Sequence, residues 1–278
     1  MCRLMSVLGS EWSSLPELLR AFSEASRCDP YLMSLRNSKV CEGHGDGWGY
    51  VLVGVLESGE EVVNYYRSTR PIYEDTSVLG GLGGSARELV YGVLVAHSRR
   101  KAEGSVRIGN THPLHYSWRG FVMWIVHNGV VDADSIAREL GVPRGEDTTD
   151  TYYLGELIYR SVTGLDLGNV VEKVRYASRY TKTAMNTSIL LYTKGKALLV
   201  VTSYVNPDRL GDPKVVDYYR LYLLSDPRSS ALVSSSILKY YNVRSESVSE
   251  VSLQSGLAIE IDLRRRAETA RVSFKLGT

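Results

Sequence analysis

Apolar residues run almost unbroken from residue 2 to 9 and stop at Gly9, which predicts a short buried strand. Ser14, Pro16 and Glu17 follow in the order of a capping box, and Leu15, Leu18, Leu19 and Phe22 supply the apolar face of a helix. From Gly47 the pattern changes to β-branched and aromatic residues. GWGYVLVGVL and EVVNYYR, joined by Glu57-Ser58-Gly59-Glu60, predict a hairpin. Further strands are predicted at 91–97 and 121–126, then helices at 133–140 (stopped by Gly141), 149–162 (with Leu154, Leu157 and Ile158 on one face) and 168–180. Strands return near 187–192, 197–204, 219–225, 230–235 and 257–263. Strands, then helices, then strands is the order of an α+β protein: two packed sheets with helices outside. No repeat or linker divides the chain, so residues 2–264 read as one domain. Residues 265–278 read as a charged tail that either completes the last strand or moves freely.

Composition narrows the function. With 278 residues and 44% hydrophobic content, the chain can bury a sizeable core. A net charge of +2 leaves no electrostatic footprint for nucleic acid or an anionic membrane and points to a small polar substrate. No stretch reaches the ~20 apolar residues of a membrane span, and the opening lacks the form of a secretory signal. Three cysteines, Cys2, Cys28 and Cys41, are an odd and sparse set. They argue against a disulfide framework and for a reducing compartment, so a cytoplasmic location is expected.

All five histidines, at positions 44, 97, 112, 115 and 127, fall in less than a third of the chain. They lie in or beside HGDGWGY at 44–50, AHSRR at 96–100, NTHP at 110–113 and VHNG at 126–129. TDT follows at 149–151, and Cys2 stands at the extreme N-terminus. Each motif alone is common. The ordered set resembles the class II glutamine amidotransferases of the N-terminal nucleophile hydrolase superfamily, and among them the stand-alone type. The resemblance runs from Cys2 to about residue 160 and continues more weakly through 185–192, 233–238 and Gly256.

The resemblance implies a four-layer α/β/β/α sandwich with mainly antiparallel sheets. It also implies that the Cys2 thiol, exposed by removal of Met1, attacks the γ-carboxamide of glutamine or of a γ-glutamyl amide. Chemistry explains the grouping. Amide cleavage needs a nucleophile, a base and donors for the developing oxyanion. The α-amino group of Cys2, with an ordinary pKa of about 7.7 to 8.0, is a suitable base within reach of its own sulfur. On this reading no separate catalytic histidine, metal or organic cofactor is required. Asn128 and Gly129 match the family's oxyanion hole, although Asn-Gly equally favours a tight turn after the strand at 121–126. Arg99 matches the clamp on the substrate α-carboxylate, and Asp150 the acceptor of its α-ammonium; alone they would read as a strand-end charge and a helix N-cap, with Asp147 a competing cap. His97, His112 and Trp48 are expected near the substrate, His44 and Asp46 in support, and Asn110, Thr111 and Pro113 at the pocket or a lid. Arg100 departs from the aromatic residue of the fused synthases and bears on substrate choice.

Two rival classes compete. Cys41 and His44, and His112 and His115, each have a two-residue gap suited to half of a metal site. A catalytically silent interaction domain of the same fold is the other. The chain shows no acceptor domain, so the expected partners are glutamine or a γ-glutamyl small molecule, with ammonia released or passed to a separate synthase subunit.

Overall fold

The structure, a computed structural model, describes residues 2–242 and 247–277. In chain order the strands are β1 (Cys2–Gly9), β2 (Trp48–Leu56), β3 (Glu61–Ser68), β4 (Leu89–Arg99), β5 (Leu114–Tyr116), β6 (Val122–Val131) and β7 (Thr181–Thr193). They continue as β8 (Lys196–Ser203), β9 (Leu221–Ser225), β10 (Ser229–Ser234), β11 (Ser247–Glu250), β12 (Ser255–Asp262) and β13 (Ala267–Lys275). The helices are α1 (Leu15–Arg27), α2 (Pro30–Arg36), α3 (Thr76–Arg87), α4 (Ala133–Leu140), α5 (Asp150–Ser161), α6 (Leu167–Ser178), α7 (Pro213–Tyr219) and α8 (Ser235–Tyr240).

Among the described residues the strands form two antiparallel sheets, one ordered β11-β9-β10-β1-β4-β2-β3 and the other β13-β12-β8-β7-β6-β5. Alternation along the strands builds three apolar layers from them. Leu4 and Leu8 of β1 pack with Val51, Val95, Trp124, Val126 and Leu199 between the sheets. Met5 and Val7 face the other way, into a cluster with Leu15, Leu18 and Phe22 of α1 and Trp48 of β2. On the far side, Met123 and Ile125 of β6 pack with Ile136 of α4, Leu154 and Ile158 of α5 and Val174 of α6. Helices, sheet, sheet, helices is the expected four-layer sandwich.

Several local readings change. Ser14 stands at the N-cap of α1 but makes no side-chain cap hydrogen bond, so the predicted capping box does not form; its φ of −80° and ψ of −15° are already helical, which turns the hydroxyl away from the first turn. The strand predicted to end at 126 runs on to Val131, so Asn128-Gly129 is not a turn; it lies within a paired strand whose register shifts between Gly129 and Val131. α3 has four glycines and only a weak apolar stripe, and periodicity did not reveal it. Residues 267–275 form β13, paired with β12.

The expectation of no disulfide is overturned. Cys28 and Cys41 are bonded, with Cα atoms 5.2 Å apart. The segment after α2 returns alongside the end of α1, where Asp29 N–H donates to Glu42 O (2.8 Å) and His44 N–H to Ser26 O (2.6 Å). That return path brings together two cysteines whose count and spacing gave no hint of pairing. The argument for a reducing compartment therefore loses its basis. Among the described residues, no helix is long and apolar enough to cross a membrane.

Candidate active site

β1 and β4 pair so that Cys2 lies opposite Arg99 and Leu4 opposite His97. Cys2, His97 and Arg99 therefore share the face that looks across to the second sheet. The end of β6 meets them there. Cys2 N–H donates to Asn128 Oδ1 at 2.8 Å, and the thiol lies 3.7 Å from the carbonyl oxygen of Arg100. Because its oxygen is held by Cys2, the Asn128 amide is fixed in orientation, and its buried Nδ2 has no partner among the described residues. Next to it Gly129 is required by space, since a Cβ there would run into the Ala184 carbonyl. Burial pushes the Cys2 thiol up. The positive charge at the start of the chain and the His97 ring outweigh it and hold the thiol well below its ordinary value.

The histidines divide into two groups. His97 Nε2 lies 3.2 Å from His127 O and 3.2 Å from His112 Nδ1, and the His97 and His112 ring centroids are 4.3 Å apart. Burial first, then the neighbouring His97, His127 and Arg99, hold His112 well below its usual pKa, so it is neutral near pH 7. His127 bonds Thr151 Oγ1 (3.1 Å) and Ala184 O (3.1 Å). His44 is elsewhere: its Nε2 is 2.7 Å from Asp29 Oδ2, on the helix side of the sheet. His115 stacks at the surface between Tyr65 and Trp124.

Arg99 is 3% exposed, and its guanidinium donates to the carbonyls of Glu103 (2.8 Å), Gly104 (3.4 Å) and Ser105 (3.1 Å). It has no carboxylate partner among the described residues. Asp150, 7% exposed, begins α5 behind the N-cap Thr149 and accepts from the backbone N–H groups of Val131 (2.9 Å) and Thr151 (2.8 Å). It too lacks a counter-ion among the described residues. Buried charges are ordinarily paired; here Arg99 stands opposite Cys2 on β4, and Asp150 is tied to β6 at Val131, two residues beyond Gly129. Asp147 does not cap α5: it accepts from Ser105 Oγ (2.7 Å) and steadies the loop that Arg99 grips. Asn110 braces the same loop through Ser105 O and Asp147 O, both at 3.1 Å.

Not every expected residue arrives at the thiol. Trp48 is fully buried in the helix-side cluster and donates to Asp75 Oδ2 at 3.0 Å, so its ring faces away from Cys2. Arg100 points to the loop after the disulfide, donating to Gly43 O (2.9 Å) and Glu42 Oε2 (2.7 Å). Cys41 is held in the disulfide, which removes the thiolate from the Cys41–His44 half-site. Sequence reading missed the cluster under β1. Arg3, 0% exposed, pairs with Asp29, donates to Tyr218 O (2.6 Å) and lies 4.0 Å over the Tyr218 ring, whose hydroxyl in turn donates to Cys2 O (3.3 Å). A charged residue inside an otherwise apolar strand was the available signal.

The sequence profile of the class II glutamine amidotransferases matches residues 21–189, more than half of the chain. The chain belongs to the class II glutamine amidotransferases. The matched span holds Arg99, Asn128, Gly129 and Asp150, and begins after Cys2. Among solved structures, the allosteric regulatory enzyme of purine biosynthesis aligns with a TM-score of 0.57 at 14% identity, covering 99% of this chain and 49% of that one. Glutamine phosphoribosylpyrophosphate (PRPP) amidotransferase from B. subtilis, complexed with ADP and GMP, aligns with a TM-score of 0.55 at 16% identity over the same shares. This amidotransferase-family chain thus spans about half the length of either, and at such identities the likeness shows the shared N-terminal nucleophile hydrolase fold. Among curated proteins none matches the chain.

Proposed function

We propose that this chain hydrolyses the γ-carboxamide of glutamine, or a γ-glutamyl amide, with the Cys2 thiolate as nucleophile. One observation carries the reading: Cys2 N–H holds Asn128 Oδ1 at 2.8 Å, which leaves the buried Asn128 Nδ2 without a partner among the described residues. Such a donor is aimed before any substrate arrives, the condition under which an oxyanion contact lowers a barrier without reorganisation. Arg99 takes the substrate α-carboxylate and Asp150 its α-ammonium, so that binding neutralises two buried charges at once. The γ-carboxamide then reaches Cys2, ammonia or an amine leaves, and water cleaves the γ-glutamyl thioester. The Cys2 amine, free once Met1 is removed, supplies a base.

Recognition stops at the γ-glutamyl head, which free glutamine and larger γ-glutamyl amides share. Arg100 donates to Gly43 O and Glu42 Oε2, and its carbonyl oxygen lies 3.7 Å from the thiol. The ammonia goes either to a separate synthase subunit or to solvent; ammonia release from glutamine by the isolated chain distinguishes the two. Intact-mass spectrometry with a glutamine-analogue electrophile tests the assignment directly. The expected adduct sits on residue 2 of a chain lacking Met1, and an unlabelled Cys2 in properly folded protein would remove the proposal.

A further inference from the structure

The end of β4 is stitched to the segment that precedes β2. Past the last ladder pair, Trp48–Ser98, Arg99 N–H donates to Gly47 O (2.8 Å) and Arg99 O accepts from Asp46 N–H (2.9 Å). Ser98 Oγ donates to His44 O (2.8 Å), and Lys101 N–H to Asp46 Oδ2 (2.8 Å). Arg100 reaches furthest, donating from Nη1 to Gly43 O (2.9 Å) and from Nη2 to Glu42 Oε2 (2.7 Å). Residues 98–101 thus take their backbone positions from residues 42–47. They carry the Arg99 guanidinium and the Arg100 carbonyl oxygen, which lies 3.7 Å from the thiol.

Residues 42–47 are held in turn by the end of α1. His44 N–H donates to Ser26 O and Asp29 N–H to Glu42 O. A Cβ on Gly43 would run into the Ser26 and Arg27 carbonyl oxygens, so the segment lies flat against the last turn of the helix. The covalent anchor is the Cys28–Cys41 bond, which joins the residue after α1 to the residue before Glu42. Cys41 stands in an exposed stretch with Lys39 and Val40, open to a dithiol.

We propose that residues 42–47 position the substrate clamp, with Arg100 as the positioning residue, and that the Cys28–Cys41 bond sets how firmly they do so. A dithiol opens the bond: one thiolate attacks Cys41 Sγ, the S–S bond breaks, and its electron pair leaves on Cys28 Sγ, which takes a proton. The second thiolate of the reagent then displaces the Cys41 thiol and closes the reagent's own disulfide. Two electrons and two protons pass to the two cysteines. Without the crosslink, local opening of this loop costs less, and each opening frees Arg99 and Arg100 from their fixed places. The Cys2–Asn128 contact joins β1 to β6, outside the stitched segment, so the loss falls on binding more than on chemistry. For its ligand this inference rests on the glutaminase reading.

Hydrogen exchange on the full chain tests the coupling without substrate. After dithiothreitol, the amides of Asp46, Arg99 and Lys101 should exchange about fivefold faster or more, with those of β6 unchanged. Unaltered protection at Arg99 and Lys101 overturns the proposal, and so does an acceleration that spreads equally to β6, which is global unfolding. Glutamine kinetics give the second measurement, with intact mass confirming an unmodified Cys2. KM should rise about fivefold or more on reduction and fall back on reoxidation, while kcat changes less than about twofold. Equal KM in the two states overturns the proposal. Arg100→Met cuts the ties to Glu42 and Gly43 with the disulfide in place; it should raise KM by a similar factor, and reduction should then add little. Independent, multiplying increases overturn the role of Arg100. The absence of turnover in both states would sink the glutaminase reading instead, and hydrogen exchange would still decide the coupling.

Discussion

Cys2 and Arg3 are adjacent on β1 and point to opposite faces of one sheet, each into buried polar surroundings. On the helix side, Arg3 is matched: Asp29 neutralises it, His44 bonds the same carboxylate, and Tyr218 supplies a carbonyl and a ring face. One of its nitrogens, Nη2, is left over. On the inter-sheet side, Asn128 Nδ2, His97 Nδ1 and His112 Nε2 are all unpaired, and Arg99 and Asp150 lack counter-ions among the described residues. Unpaired buried groups cost about 1–3 kcal/mol each, so on the proposed reading a bound γ-glutamyl head would relieve the inter-sheet cluster, whereas the Arg3 cluster is scaffold. The two clusters touch through Tyr218, whose hydroxyl reaches Cys2 O, so the scaffold side also fixes the backbone of Cys2.

Substitutions on either side break this contrast in different ways. The largest effect is expected from Cys2→Ala, which should abolish ammonia release from glutamine while circular dichroism and the thermal midpoint stay close to those of the unaltered chain. Asp29→Asn attacks the opposite face. It can keep the cap on α2, where Asp29 accepts from Tyr31 and Leu32 N–H, but it strands the buried guanidinium, so denaturant titration should show a loss of about 3–5 kcal/mol. Asp29 also sets an acid limb. Burial works against its charged form, but Arg3 and His44 hold the carboxyl well below the usual range. Its stabilisation is therefore complete above about pH 4 and lost progressively as the pH falls, and Asp29→Asn should flatten that part of the stability profile.

Asn128→Ala should lower kcat by about 10² to 10³ with little change in KM, the signature of a contact made in the transition state. Equal losses in binding and turnover would recast the residue as a ground-state contact. The smallest expected effect is from reducing Cys28–Cys41, which closes a loop with a sequence separation of 13 and should contribute about 3 kcal/mol to unfolding stability. Since that loop carries Asp29 and leads to His44, reduction should weaken the Arg3 side first. Hydrogen exchange should show faster opening of α2 than of β6.

Much of this molecule is legible in the chain because its signals are local. Runs of β-branched and apolar residues in β2, β4, β7 and β8 and the helical face of α5 mark these elements as buried, and the spacing of Cys2, Arg99, Asn128 and Asp150 carries the family pattern. The short helices α2, α7 and α8 give too few turns for periodicity to register, and the glycines of α3 blur its face. What only the tertiary structure decided are matters of facing and closure. Trp48 and His44 belong to recognisable motifs, yet the pleat of β2 sends Trp48 to the helix side and the loop before it carries His44 to Asp29 there. Cys28 and Cys41 meet because the chain doubles back after α2. His97 reaches the His127 carbonyl only because the two sheets pack face to face. A sequence fixes the period of each strand, but the face that meets the thiol and the groups left unpaired there depend on register between distant strands, which no local pattern encodes.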